Sequence, residues 1–194
     1  MILAVAWDVD GTLIDSEPTH HAALMRVSAR YGVTLAPDDG RFVGVAMEDV
    51  WEVLRPRYPP ALSRAAWLEE IVAAYIEAAD TLTPVPGARE AVAALAAAGV
   101  PQACVSNSVR RIVEANIARL GVSFAFTLAR EDVANGKPDP EPYALACRRF
   151  GLPPSAVAAV EDSEAGAASA RAAGLLALRV QEDGFARVRA LFGV

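Results

Sequence analysis

Residues 1–13, MILAVAWDVDGTL, decide the fold. Ile2–Trp7 is a short apolar run, and it stops abruptly at Asp8-Val9-Asp10-Gly11-Thr12. A run of this length with no polar alternation predicts a strand buried on both faces, as in a parallel sheet covered by helices. Residues two apart on an extended backbone point the same way, so Asp8 and Asp10 converge on one site. Two carboxylates held together repel and lose hydration unless a cation or proton joins them. Mg²⁺ suits that position because it is a hard ion that prefers oxygen. Gly11 lets the chain turn sharply after the acidic pair. Taken alone, an acidic turn followed by a helix is common, and the motif is only moderately specific.

The rest of the chain supplies the context. Four more apolar runs, Gln102–Val105, Phe124–Leu128, Val157–Val160 and Leu175–Val180, alternate with helix-like stretches. Helix ends are marked by glycines at 99, 121, 151 and 174. Expected N-caps are Asn107 or Ser108, Asp139 before Pro140, and Ser163. This alternation predicts an α/β fold, a doubly wound, Rossmann-like parallel sheet. One connection is too long. Roughly 70 residues separate the first strand from the helix near Gly87, where a crossover needs only a dozen or so. Pro18–Tyr31, Met47–Leu54 and Ser63–Ala79 carry apolar residues at helical spacing. The expectation is an inserted helical cap over 16–84, between core segments 1–15 and 85–194, with the prolines at 84 and 86 as a stiff exit.

Composition narrows the function classes. The chain has 194 residues, 54% hydrophobic, and a net charge of -6. Such a balance argues against a nucleic-acid or membrane-surface partner. Two distant cysteines, Cys104 and Cys147, suggest neither a disulfide framework nor a metal site and fit a reducing cytoplasm. The opening apolar run lacks a basic flank and reads as neither signal peptide nor membrane span. With the last residues close behind Phe192, a sheet of near-minimal size is expected.

At the other strand ends stand Ser106-Asn107-Ser108, then Gly136-Lys137-Pro138-Asp139-Pro140, then Glu161-Asp162-Ser163 with Gly166. A hydroxyl beside helix N-terminal amides is a phosphate cradle, and Lys137 is the only lysine in the sequence. A compact ammonium, in a chain that otherwise uses arginine, fits a point charge approaching a phosphate. Acid pair, hydroxyl, lysine and second acid pair at one sheet edge point to phosphoryl chemistry.

These motifs, WDVDGTLIDSE, VSNS, GKPDPEPY and VEDSEAG, resemble those of the haloacid dehalogenase superfamily, in its helical-cap branch of phosphoglycolate phosphatases and β-phosphoglucomutases. The resemblance covers nearly the whole chain. It implies Asp8 as nucleophile, Asp10 as general acid and base, and Ser106, the Asn107 amide and Lys137 as the phosphoryl grip. It implies Mg²⁺ on Asp8, the Asp10 carbonyl and Asp162, with Glu161 orienting that site. In the cap it marks His20, Arg41 and Gly44 as substrate contacts, although for a histidine an ordinary helix-face position is the stronger reading. Trp51, Trp67 and Tyr75 read as cap core, and Arg55, Arg57 and Arg64 as solvated charge. The expected substrate is a small phosphomonoester, phosphoglycolate or a sugar phosphate; one subunit or two is left open. A dehalogenase needs neither Asp10 nor a metal. A phosphomutase is the enzymatic alternative, weakened by a cap without lysine and by Met47 where a basic residue would grip a second phosphate. A phosphate-responsive binding module, such as a receiver domain, would carry its acceptor aspartate after a later strand.

Overall fold

The computed structural model describes residues 1–37, 40–42, 45 and 47–194. Gly44 lies outside the described residues. The chain divides into two compact units, Met1–Asp15 with Thr83–Val194, and Ser16–Leu82.

The first unit is a five-stranded parallel sheet in the order β5-β4-β1-β6-β7. Its strands are β1 (Ala4–Trp7), β4 (Gln102–Val105), β5 (Phe126–Leu128), β6 (Val157–Glu161) and β7 (Leu176–Arg179). The helices are α4 (Ala88–Ala97), α5 (Arg110–Leu120), α6 (Glu141–Phe150), α7 (Glu164–Ala172) and α8 (Val180–Ala190). Strand parity separates the two faces. Ala4 and Ala6 point into a cluster with Val105, Leu128, Tyr143, Cys147, Ala159 and Ala170, the side covered by α6 and α7. Val5 and Trp7 point the other way, where Trp7 meets Phe185 of α8 with ring centroids 6.2 Å apart. The many alanines on β6 and α7 let helix and sheet backbones approach closely.

Two short strands, β2 (Ile14–Asp15) and β3 (Thr83–Pro84), pair antiparallel where the chain leaves the sheet unit and returns to it. This ladder was not expected from the sequence, which showed only a proline-rich exit. It is two residues long on each side, too short to leave a hydrophobic pattern. The final apolar run also ends sooner than expected. Val180 opens α8, because Asp183 Oδ2 accepts the Arg179 N–H at 2.9 Å and starts the helix there.

The second unit holds α1 (Glu17–Arg30), α2 (Met47–Leu54) and α3 (Arg64–Glu77). Ser63 caps α3 by accepting from the Ala66 N–H at 3.2 Å. Trp51, Tyr58 and Trp67 stack into one aromatic core, with Trp51 5.7 Å from Tyr58 and 5.3 Å from Trp67. Trp51, Trp67 and Tyr75 are buried, as the helical spacing implied. Arg55 and Arg57 are not merely solvated: they donate to main-chain carbonyls of Tyr58, Pro59, Pro60 and Thr34.

A buried polar bridge fixes the centre of the sheet. Gln102 accepts the Trp7 indole N–H at 2.9 Å and donates to Val92 O at 3.0 Å. Replacing Gln102 by leucine leaves a buried donor unpaired, at a cost of about 1–3 kcal/mol. Thermal unfolding of Gln102→Leu is expected several degrees below the parent, with divalent-ion binding retained.

Candidate active site

Parallel register assembles the site. Trp7 pairs with Cys104 on one side and Val160 on the other. The residues that follow, Asp8, Ser106, Glu161 and Asp162, therefore leave the sheet at one edge. Asp8 is anchored through its N–H to Val160 O at 2.9 Å. Its side chain is buried, with Oδ2 accepting from Thr12 Oγ1 at 2.8 Å and Oδ1 from Lys137 Nζ at 2.7 Å.

Lys137 reaches in from the loop between β5 and α6. Its ammonium also meets Val105 O at 2.7 Å and Glu161 Oε1 at 2.6 Å. It lies 5.1 Å from the centre of the Tyr143 ring, and the Tyr143 hydroxyl donates to that same Glu161 oxygen. Burial alone would lower the ammonium's proton affinity. The Asp8 and Glu161 carboxylates outweigh it and hold Lys137 charged, above its ordinary value.

Two loops are tied by Asn107. It donates to Lys137 O at 3.0 Å and accepts from Lys137 N–H at 2.8 Å. A side chain at Gly136 would start 2.7 Å from Asn107 Oδ1, so glycine is required for this clamp. With its side chain so engaged, Asn107 can meet a substrate through its main chain.

Asp10 turns toward β4 and α5. Its Oδ2 accepts from Ser106 Oγ at 3.1 Å and Ser108 Oγ at 2.8 Å, and its Oδ1 from Asn116 Nδ2 at 2.9 Å. The expected cap of α5 by Asn107 or Ser108 is thus corrected. Val109 stands at the N-cap, and the Glu131 carboxylate takes the Arg110 N–H with both oxygens at 3.0 Å. A charged acceptor serves the helix N-terminus well and releases Ser108 for Asp10. The start of α6 is one residue later than expected: Pro140 is the N-cap, while Asp139 still accepts the Glu141 N–H at 2.9 Å. Ser163 caps α7 as expected, accepting from Gly166 N–H at 3.1 Å.

Asp8, Glu161 and Asp162 bring one carboxylate oxygen each within 4.8 Å of one another. Burial, then the Asp8 charge, pushes Asp162 up to about 7. Burial pushes Glu161 up to about 7 as well, against the pull of Lys137, and raises Asp8. Glu161 Oε2 is buried without a hydrogen-bond partner. An all-oxygen, acidic, incompletely neutralised cluster fits a hard divalent cation. Glycines make room for it. At Gly11, with φ 76°, a Cβ would sit 2.2 Å from Asp162 Oδ2, and at Gly166 one would sit 2.0 Å from Glu161 Oε2. The Asp10 side chain is not in this cluster, so Asp10 can serve a cation only through its main-chain carbonyl.

His20 and Arg41 lie in the helical unit. His20 packs on Tyr75 with centroids 4.4 Å apart, and the exposed Arg41 guanidinium sits 5.2 Å over Phe42. The sequence reading missed Thr12, Ser108, Asn116, Tyr143 and the Arg179 guanidinium, which donates to Asp162 O at 3.0 Å. Only Asn116 carried a usable signal, as an amide inside the apolar stripe Ile112, Val113, Leu120 of α5.

The chain belongs to the haloacid dehalogenase-like hydrolase family, which it matches over residues 2–174. It is 31% identical over 180 residues to a phosphorylated carbohydrates phosphatase of Thermotoga maritima, covering 89% of this chain and 82% of that one. It is also 31% identical to hexitol phosphatase B of Escherichia coli strain K12, covering 89% and 80%. CbbY from Rhodobacter sphaeroides, solved in complex with phosphate, superposes with a TM-score of 0.83 at 27% identity, covering 92% of this chain and 86% of that one. Among the described residues, no helix is long and apolar enough to cross a membrane.

Two outcomes follow from the carboxylate cluster. Gly11→Ala is expected to displace the Asp162 carboxylate and weaken divalent-ion binding by about tenfold or more, read by titration calorimetry, with the fold retained. The second concerns pH. Because Glu161 and Asp162 titrate higher folded than their ordinary values of 4.5 and 3.8, the folded chain binds more protons than the unfolded chain between about pH 4 and 7. Stability must therefore fall as pH rises through that window. Melting curves without divalent ions should show this decline, and saturating Mg²⁺ should flatten it.

Proposed function

We propose that the chain is a Mg²⁺-dependent phosphatase of small phosphomonoesters, with sugar phosphates as the favoured class and phosphoglycolate as the alternative. The observation that carries this reading is the buried Asp8–Lys137 pair at 2.7 Å, set beside Glu161 and Asp162 with Asp10 two residues on. The names of the relatives, which act on phosphorylated carbohydrates and hexitol phosphates, support the substrate class.

In this mechanism an Asp8 oxygen attacks phosphorus in line, forming a carboxyl oxygen–phosphorus bond as the ester oxygen–phosphorus bond breaks. Asp10 gives its proton to the leaving alkoxide. Water then attacks the same phosphorus, its proton passes to Asp10, and the Asp8 carboxylate is released with inorganic phosphate. General acid and base help of this kind contributes typically 10²- to 10⁴-fold. Ser106 and the Asn107 main chain hold the phosphoryl oxygens, and Lys137 offsets the charge of Asp8 and of the dianion it must approach. Asp8, Asp162 and the Asp10 carbonyl would hold Mg²⁺, which supplies positive charge against the phosphoryl oxygens. Glu161 orients this set through Lys137 and Tyr143.

The helical unit, taken as the cap over 16–84, is assigned the choice of substrate. His20, Arg41 and Gly44 are its candidate contacts on the sequence reading. Dehalogenation gives Asp10 no task, because a departing halide takes no proton.

Release of inorganic phosphate should appear with p-nitrophenyl phosphate and a panel of hexose, hexitol and glycolate phosphates. It should require Mg²⁺ and fall at least 10³-fold in Asp8→Asn. Undiminished turnover in that variant, or release unaffected by chelator, would overturn the reading.

A further inference from the structure

Asn116 stands where α5 should carry an apolar residue. Ile112, Val113, Asn116 and Leu120 form its buried stripe, and Asn116 is fully buried. Burying an amide costs free energy unless it is hydrogen-bonded, and asparagine is a poor helix former. Its Nδ2 donates to Asp10 Oδ1 at 2.9 Å, across 106 residues of sequence. Only the Nδ2 end can face an ionised carboxylate, because the amide oxygen would repel it.

We propose that Asn116, with Ser108, positions the Asp10 carboxyl for its work in catalysis. The proposal rests on Asp10 being the acid and base of the phosphatase reading. Asn116 fixes Oδ1, while Oδ2 faces the Ser106 and Ser108 hydroxyls. The carboxyl is thus anchored from α5 and from the loop after β4 together, and its direction is set by both. Ser108 is available for this role because Glu131 caps α5 in its place.

The test uses Asn116→Leu, which fills the apolar stripe, and Ser108→Ala at a half-buried position, each checked for folding by its melting curve. A p-nitrophenolate leaving group needs no proton, whereas a hexitol phosphate's alkoxide does. Rapid mixing with p-nitrophenyl phosphate should show first-turnover release within about threefold of the parent. A slow steady state, reduced about tenfold or more, should follow, because base-assisted release of phosphate from Asp8 is impaired. With the hexitol phosphate, the first turnover should itself fall about tenfold or more. Equal losses in the first turnover of both esters, or no loss in either variant, would overturn the proposal. Asp10→Asn serves as the reference. If it slows both first turnovers alike, the acid–base reading of Asp10 fails, and the positioning role falls with it for that separate reason.

Discussion

Three carboxylates from two adjacent strands, Asp8, Glu161 and Asp162, meet in a largely buried space around one ammonium. Like charges at this range raise each other's proton affinity, and one lysine cannot neutralise three acids. Much of the local architecture exists to tolerate this imbalance. The parallel pairing of β1 with β6 fixes the approach of the acids, so they cannot separate without breaking the sheet. Tyr143 and Lys137 share one Glu161 oxygen, and Thr12 shares Asp8 with Lys137. Gly11 and Gly166 are the sites where any side chain would displace a carboxylate. A fold that holds acids together so firmly stores a demand for positive charge, which a hard divalent ion answers.

The loops around this cluster divide the remaining work by chemical type. Asn107 ties the loop after β4 to the one bearing Lys137 through main-chain groups, setting the height of the ammonium above Asp8. Glu131 secures the start of α5, and its charge suits a helix N-terminus better than a hydroxyl would. In consequence the serines after β4 are turned inward. Supports of this kind lie away from the reacting atoms, yet they set distances on which phosphoryl transfer depends.

How much of this was legible in the sequence depends on the range of the interaction. The five strands, the three inserted helices, and the placement of Asp8, Asp10, Ser106, Lys137 and Asp162 at one sheet edge could be read because each sits in a local pattern: an apolar run, a helical period, or a motif at a strand end. The partners of Asp10 could not, since Asn116 and Ser108 reach it across about a hundred residues and nothing local announces the contact. The cap of α5 was misread for the same reason. Ser108 is a good N-cap by local rules, but Glu131 arrives from the next strand–helix connection and takes the place. The β2–β3 ladder joins residues near 14 to residues near 84, and two residues are too few to show a period.

The contrast between Asp8 and Asp10 follows from these partners. The two carboxylates leave the same strand end two residues apart, so sequence position alone does not give them different chemistry. Asp8 is held by a buried ammonium that is kept charged. That suits the nucleophile of the proposed mechanism, which attacks as an anion. Among the contacts of Asp10 are the Asn116 amide and the Ser106 and Ser108 hydroxyls, which aim its carboxyl toward β4 and α5. On the proposed mechanism the two aspartates need different things, a fixed charge beside the nucleophile and a fixed direction for the acid and base, and the sole lysine falls on the side of Asp8.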